Sequence, residues 1–521
     1  MSLLGEHALR DLLSTLNVGE LVGGLRGIEK ESLRVTADGD ISQLPHPDCL
    51  GSKLTHAEIT TDYSEALLEL ITEPMTSSEA LIKRLHDIHT FVYQCIDSEM
   101  LWATSMPCAM ENEQSIPIAD YGPSNVGMMK HVYRHGLAWR YGRVMQAIAG
   151  VHFNYSVPVS AWPHLHKIAG HPGTLDEFIS ARYFGLIRNF QRIGWLIPYL
   201  FGASPAVCKS FTGGKAGGFE EFDAGTFYLP YATALRMSDI GYKNVHQAQL
   251  GISYNSLQEY VDGLTTAIET PTDDYAKFGV EVDGQYRQLN ANVLQIENEY
   301  YSFIRPKQVT QSGEKPTLAL QRRGVRYVEV RALDVSVHDP LGVGVAELKF
   351  IEAMLLYCLL SPSDPIDENG RQEIERNQTA VATAGRDPAL MLTDNGREVS
   401  LREWGRELLA GMQPLCSWLD NSGTGGFSDA LLVQMAKIED ASLTPSARIL
   451  ADMRMRDESF YQFARRRSGE WKEYFSHQAL AANVEAELRT SAAQSLARQA
   501  ELEAEPQLPF SEYLSKYFAQ K

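Results

Sequence analysis

A β-strand sends alternate side chains to opposite faces, so charges spaced two apart are gathered on one side of a sheet. Leu25–Val35 (LRGIEKESLRV) has this pattern, and it places Glu29 and Glu31 together. The pattern recurs twice. Tyr327–Leu333 (YVEVRAL) sets Glu329 and Arg331 on one face, with Val328 and Val330 on the other. Gly150–Pro158 (GVHFNYSVP) aligns His152, Asn154 and Ser156. In Thr60–Glu69 (TTDYSEALLE), Asp62 and Glu69 bracket an apolar run. Carboxylates on an inner sheet face repel each other and lose hydration, which is costly unless cations compensate. Oxygen-rich sites of this kind bind Mg²⁺ or Mn²⁺, an added imidazole favours Mn²⁺, and clustered metals neutralise phosphates. Taken singly, each acid reads more simply as the lining of a solvated sheet face, and a lone strand histidine as structural.

The formal net charge of −19 repels nucleic-acid backbones and anionic lipid, so neither is expected as a partner. An anionic substrate then needs local cations. Tyr133-Arg134, Arg236, and Arg305 with Lys307 supply them, since guanidinium groups grip carboxylate or phosphate in a bidentate fork. A substrate-anion clamp and a set of surface ion pairs both satisfy that observation. No apolar run approaches the ~20 residues that cross a bilayer. Met1–Thr15 carries Glu6, Arg10 and Asp11 among its leucines and reads as an amphipathic helix without a signal-peptide core. The cysteines are scattered and form no CxxC, which argues against a disulfide framework or a zinc site and fits a reduced cytosol. A cytoplasmic enzyme is expected.

Further along, Ala66–Thr72 reads as a strand stopped by Pro74, and Ser78–Met100 has helical spacing. Asp176–Phe201 reads as one buried helix closed by Gly202 and Pro205, Gly213–Gly225 as a glycine-rich loop, and Asn255–Glu269 and Gly342–Leu360 as helices. Composition breaks at Ser361–Gly370, dividing a mixed catalytic part (1–350) from a mainly helical part (351–521). Nucleotide and hydrolase signatures are missing: Gly213-Gly214-Lys215 is followed by Ala216-Gly217, which is no phosphate loop, and no GxGxxG, GxSxG or HExxH occurs. The residues by themselves point to an acidic metal site with anion-binding arginines, suited to metal-assisted phosphoryl or acyl transfer. They name no substrate.

Several long segments together are more specific: GIEKESLRV, LTHAEITTDYSEALLELIT, YGPSNVGMMKHVYRHGLAWRYG, GVHFNYS, IPYLFGASPAVC, YLPYATALRMSDIGY, LQIENEYY…IRPK and YVEVRALD, in that order. The series resembles the proteobacterial glutamate–cysteine ligases from about Arg26 to Leu341, and again at Leu443–Leu450 (LTPSARIL). The resemblance implies an α+β, glutamine-synthetase-like fold, whose curved, largely antiparallel sheet forms a funnel with helical additions. It implies ATP, Mg²⁺ (or Mn²⁺), L-glutamate and L-cysteine as ligands, and the first step of glutathione synthesis by way of γ-glutamyl phosphate. By the same resemblance Glu29, Glu31, Asp62, Glu69, His152 and Glu329 hold metal, and Glu329 and Arg331 carry catalysis. Tyr133, Arg134, Gln146, Arg236, Tyr242 and Tyr301 join Arg331 in the substrate pocket, with Arg236 and Arg331 on glutamate or the transferred phosphoryl. The cysteine side falls to Tyr63, Tyr133, Leu137, Tyr242 and Tyr301. A monomer inhibited by glutathione is implied as well.

Tyr63 departs from the pattern, because the best-known members carry Phe there, and its hydroxyl opens the alternative of another amine acceptor. Two further alternatives are an unrelated metal-dependent phosphotransferase or hydrolase and a non-catalytic homologue acting as a binding protein. The latter predicts lost acids, and every metal position is filled. Ser361–Ser442 matches the family poorly and contributes no site residue.

Overall fold

The computed structural model describes residues 3–241 and 250–520, apart from the side chains of Ser422 and Thr424. Its centre is a seven-stranded sheet: β1 (Leu25–Val35), β2 (Ile59–Thr61), β3 (Leu67–Ile71), β4 (Met100–Leu101), β5 (Gly150–Ser156), β6 (Ile304–Lys307) and β7 (Tyr327–Asp334). The order is β6-β7-β5-β1-β3-β2, with β4 paired to β1, and each of these pairings is antiparallel. A register shift between Val330 and Leu333 interrupts the β5–β7 ladder, an irregularity that bends a strand and raises its twist.

The two faces of β1 have different fates. Arg26, Ile28, Lys30 and Ser32 face a helical layer that includes α1 (Ser78–Cys95) and extends to later helices. Arg26 Nε donates to Glu352 Oε2 at 2.6 Å, and Lys30 Nζ lies 3.0 Å from His89 Nε2 of α1. The face bearing Glu29 and Glu31 is turned toward α2 (Asn125–Tyr141), whose start is fixed by Ser124 Oγ accepting from Gly127 N. Behind the sheet, α3 (Leu175–Ile193) packs on α4 (Val345–Leu360), the helix that carries Glu352.

The C-terminal helices wrap this centre. α5 (Leu401–Leu419) and α6 (Phe427–Glu439) pack on α4; α7 (Phe460–Ser476) and α8 (Ala482–Ala504) lie against α1; α9 (Phe510–Phe518) meets α2. One apolar cluster runs from Leu9 to Leu488. Among the described residues no helix is long and apolar enough to cross a membrane.

Three expectations need correction. Asp176–Phe201 is two helices, α3 and Leu196–Phe201, separated at Gly194. Pro198 lacks an N–H and is tolerated in the first turn of a new helix but not within one continuous helix. The helix begun at Ser78 ends at Cys95, and Asp97 adopts a positive φ of 33°. Within 351–521, mainly helical as read, one hairpin joins Met391–Asp394 to Arg397–Ser400 and overturns no expectation. The cysteines are not all free: Cys108 and Cys208 form a disulfide with a Cα–Cα distance of 5.5 Å, pinning the segment after β4 to the strand Ala206–Cys208. A pairing across 100 residues leaves no spacing signal in a sequence.

Candidate active site

Register brings the acids together. Glu29 stands opposite His152, Glu31 opposite Glu69, and Glu329 opposite Asn154. The ligand atoms of Glu29, His152 and Glu329 lie within 4.8 Å of one another. His152 Nδ1 is 3.3 Å from Glu29 Oε2 and 4.0 Å from Glu329 Oε1, while its Nε2 is 3.9 Å from Glu31 Oε1. Asn154 Nδ2 donates to Glu29 Oε1 at 3.0 Å, and the backbone N–H of Gly150 donates to Glu31 Oε2 at 2.6 Å. Lys307 Nζ and Arg331 Nη1 flank Glu329 at 3.2 and 3.1 Å.

Protonation follows these surroundings. Burial, then Asp62, pushes the Glu31 carboxyl up to about 8. Burial and the neighbouring Glu29 push Glu69 well above the usual carboxylate range. Burial also opposes ionisation of Glu329, but Lys307 and Arg331 outweigh it and hold the group well below that range. Glu29 is lowered too, against burial and Glu329, by the adjacent His152. His152 is itself held low by burial and by Arg331, so its imidazole stays neutral and able to ligate. Converging carboxylate oxygens, one neutral imidazole and two acids that burial keeps protonated form a donor set that fits Mg²⁺ or Mn²⁺. Glu29, His152 and Glu329 would hold such an ion, with Glu31 and Glu69 beside them.

Next to this floor lies a cavity of about 120 Å³. Ten of the residues named from the sequence line it: Glu31, Asp62, Tyr63, Tyr133, Arg134, Leu137, Gln146, Tyr301, Arg305 and Arg331. Tyr133 and Leu137 are one turn apart on α2, which puts both on one side of the helix. Tyr141, a further turn along, also lines the cavity, and sequence reasoning missed it although the same spacing would have found it. Met145, Asn298 and Glu299 were missed as well. Arg134 is fixed by donating through Nε to Asp62 O and through Nη1 to Lys130 O, with its guanidinium 4.6 Å from the Tyr121 ring centre. Tyr63 is 1% exposed and its hydroxyl, held above the usual phenol range by burial, has no hydrogen-bond partner among the described residues.

Arg236 sits behind the cavity lining. It is buried, donates from Nη2 to the carbonyl of Arg331 at 3.1 Å, and lies 3.8 Å from Asp334 Oδ1. Gly150 makes room for it, because a β-carbon there would collide with the Arg236 guanidinium. Tyr242 lies outside the described residues.

The antiparallel sheet gathers acids on its floor beside a cavity lined by guanidinium and phenol groups, an α+β arrangement whose charge suits anionic ligands. The family model described as glutamate-cysteine ligase matches residues 9–381. The glutamate–cysteine ligase of Pseudomonas fluorescens (strain Pf0-1) is 47% identical over 520 residues, covering 100% of this chain and 96% of that protein. That of Alcanivorax borkumensis is 47% identical, covering 98% and 99%. A crystal structure of the Francisella tularensis glutamate–cysteine ligase in complex with AMP superposes with a TM-score of 0.90 at 38% identity, covering 95% of this chain and 98% of that one. The chain belongs to the glutamate–cysteine ligase family. A bifunctional glutathione synthetase from Pasteurella multocida, 22% identical with a TM-score of 0.68, shares the fold over 95% of this chain and 57% of that one.

Proposed function

We propose that the chain joins the γ-carboxylate of L-glutamate to the amine of L-cysteine at the expense of ATP, and that the cavity and acid floor are where it does so. The observation that carries the site assignment is the meeting of Glu29, His152 and Glu329 beside a cavity lined by Arg134, Arg331 and tyrosines.

A carboxylate is a poor acyl donor because oxide would have to leave. The glutamate γ-carboxylate therefore attacks the γ-phosphorus of ATP, forming γ-glutamyl phosphate and releasing ADP. The cysteine amine then attacks the acyl carbon, phosphate leaves, and the amine proton passes to a base. Bound Mg²⁺ or Mn²⁺ supplies charge neutralisation for the ATP phosphates. The side chains contribute mainly position and fixed charge. Arg331, facing the cavity and paired with Glu329, offsets negative charge on the transferred group. Arg236 holds the Arg331 backbone and backs the glutamate end. Tyr63, Tyr133, Leu137 and Tyr301 form the wall against the acceptor amino acid, and Gln146 and Tyr242 complete the substrate pocket. The helices of 351–521 brace the sheet from outside the site. A cytoplasmic monomer inhibited by glutathione completes the proposal.

The test is ADP release with glutamate plus cysteine, compared with glutamate plus 2-aminobutyrate and glutamate alone. Release that depends on an amine and is fastest with cysteine is expected. Release without an amine, or a strong preference for another acceptor, would replace the substrate assignment.

A further inference from the structure

Two imidazoles meet on α2. His131 and His135 are four residues apart and therefore share a side of the helix. Their Nε2 atoms are 3.1 Å apart, and the ring centres lie 4.6 Å apart with planes inclined at 68°. His131 Nδ1 is 2.8 Å from the carbonyl oxygen of Ala119, which only accepts, so Nδ1 carries a proton and donates it. In the neutral ring the lone pair is then on Nε2, the atom beside His135. A backbone carbonyl that holds the far nitrogen in this way sets the tautomer and orientation of metal-ligating histidines.

The separation suits a chelate. Two imidazole nitrogens, each about 2.0–2.1 Å from one ion, stand about 3.1 Å apart when the angle at the metal is about 100°, between square and tetrahedral values. Two ring nitrogens this close cannot both carry protons. Burial, His131 and Arg143 push His135 down to about 4, which keeps its imidazole neutral at neutral pH. Arg143 itself is turned to the backbone, its Nη1 donating to Ile116 O at 3.0 Å. Both histidines are half-buried, so solvent reaches the pair and can complete a coordination shell. They stand about 200° around the helix from Tyr133 and Leu137, and neither lines the substrate cavity.

We propose that His131 and His135 form a second metal site, separate from the acid floor, that takes a late first-row divalent cation such as Zn²⁺, Ni²⁺ or Cu²⁺. Donor chemistry separates the two sites. Mg²⁺ dehydrates reluctantly and prefers the carboxylate oxygens of the floor, whereas paired imidazoles suit the later metals. An ion on the pair clips one turn of α2, the helix that carries Tyr133, Arg134 and Leu137, and touches no substrate. Because it binds the folded helix, it stabilises the folded chain. The site stands independently of the ligase reading.

The experiment titrates metal-free wild type, His131→Ala, His135→Ala and Glu29→Gln with Zn²⁺ by calorimetry. Wild type should show a binding event that each histidine variant loses or weakens at least ~10-fold, since merely disturbing a ligand's support costs that much affinity. Glu29→Gln, which alters the floor, should keep the event. Circular dichroism checks that each variant is folded. Zn²⁺ binding of equal stoichiometry and affinity in wild type and both histidine variants overturns the proposal, as does loss of the same event in Glu29→Gln. A second measurement needs no variant. Zn²⁺ should protect His131 and His135 of wild type from acylation by diethyl pyrocarbonate, read by peptide mass. Acylation of both at an undiminished rate in the presence of Zn²⁺ contradicts the site.

Discussion

Glu31 and Glu69 stand opposite each other in register on β1 and β3, two carboxylates on the inner face of one sheet. Like charges so placed destabilise a sheet, and burial with neighbouring acids keeps both groups protonated beyond the usual range, Glu31 up to about 8. In the metal-free chain the folded pKa of Glu31 lies above its unfolded value. Its contribution therefore falls as pH rises from the ordinary carboxylate range toward about 8. A divalent ion reverses this by displacing the protons. Mg²⁺ or Mn²⁺ binding should release protons near pH 7 and tighten as pH rises through about 8. Calorimetry in two buffers of different ionisation enthalpy reads the release, and binding enthalpies independent of buffer would show that these acids take no part.

Glu329 is the opposite case, kept ionised by Lys307 and Arg331 while 1% exposed. Glu329→Gln keeps the shape and removes the charge. Turnover at saturating Mg²⁺ should drop by at least ~10²-fold, the scale of losing one preorganised electrostatic group. Glu29→Gln should behave alike. Near-normal turnover in a folded variant would take that residue out of the metal set.

Arg236 and Gly150 act as one unit, since the guanidinium occupies the space a β-carbon at Gly150 would fill. Arg236→Ala should raise KM for glutamate far more than KM for ATP. Gly150→Ala should reproduce the direction of that change by displacing the guanidinium rather than deleting it. Equal rises for both substrates in Arg236→Ala would assign the arginine to general folding of the site.

Tyr63 lines the cavity, and its buried hydroxyl has no hydrogen-bond partner among the described residues. Removing an unsatisfied buried group is close to neutral or stabilising, so Tyr63→Phe should not lower the melting temperature. It should change the ratio of kcat/KM between cysteine and 2-aminobutyrate by roughly tenfold, the range over which one pocket group discriminates. An unchanged ratio would free Tyr63 of any part in acceptor choice.

Strand periodicity made the floor of the site legible. Residues two apart must share a face, so Glu29 with Glu31 and Glu329 with Arg331 followed from spacing alone, and β1 and β5 begin at Leu25 and Gly150 as read from the sequence. Their convergence did not follow, because it depends on strand order, and only the ordered family segments supplied it. Arg305 and Lys307 were visible as cations, but their place beside Glu329 depends on the β6–β7 register. The hairpin at 391–400 had a local cue that went unused: Asn395-Gly396, both at positive φ (51° and 78°), is the preferred two-residue turn between antiparallel strands.

Carboxylate activation by phosphoryl transfer can be read from the fate of one atom. Glutamate carrying ¹⁸O in its γ-carboxylate, turned over with ATP and cysteine, should deliver one labelled oxygen to each inorganic phosphate released, because the acyl–oxygen bond breaks when the amine enters. Phosphate that emerges without label, while γ-glutamylcysteine accumulates, would contradict the acyl phosphate and the reading of this site built on it.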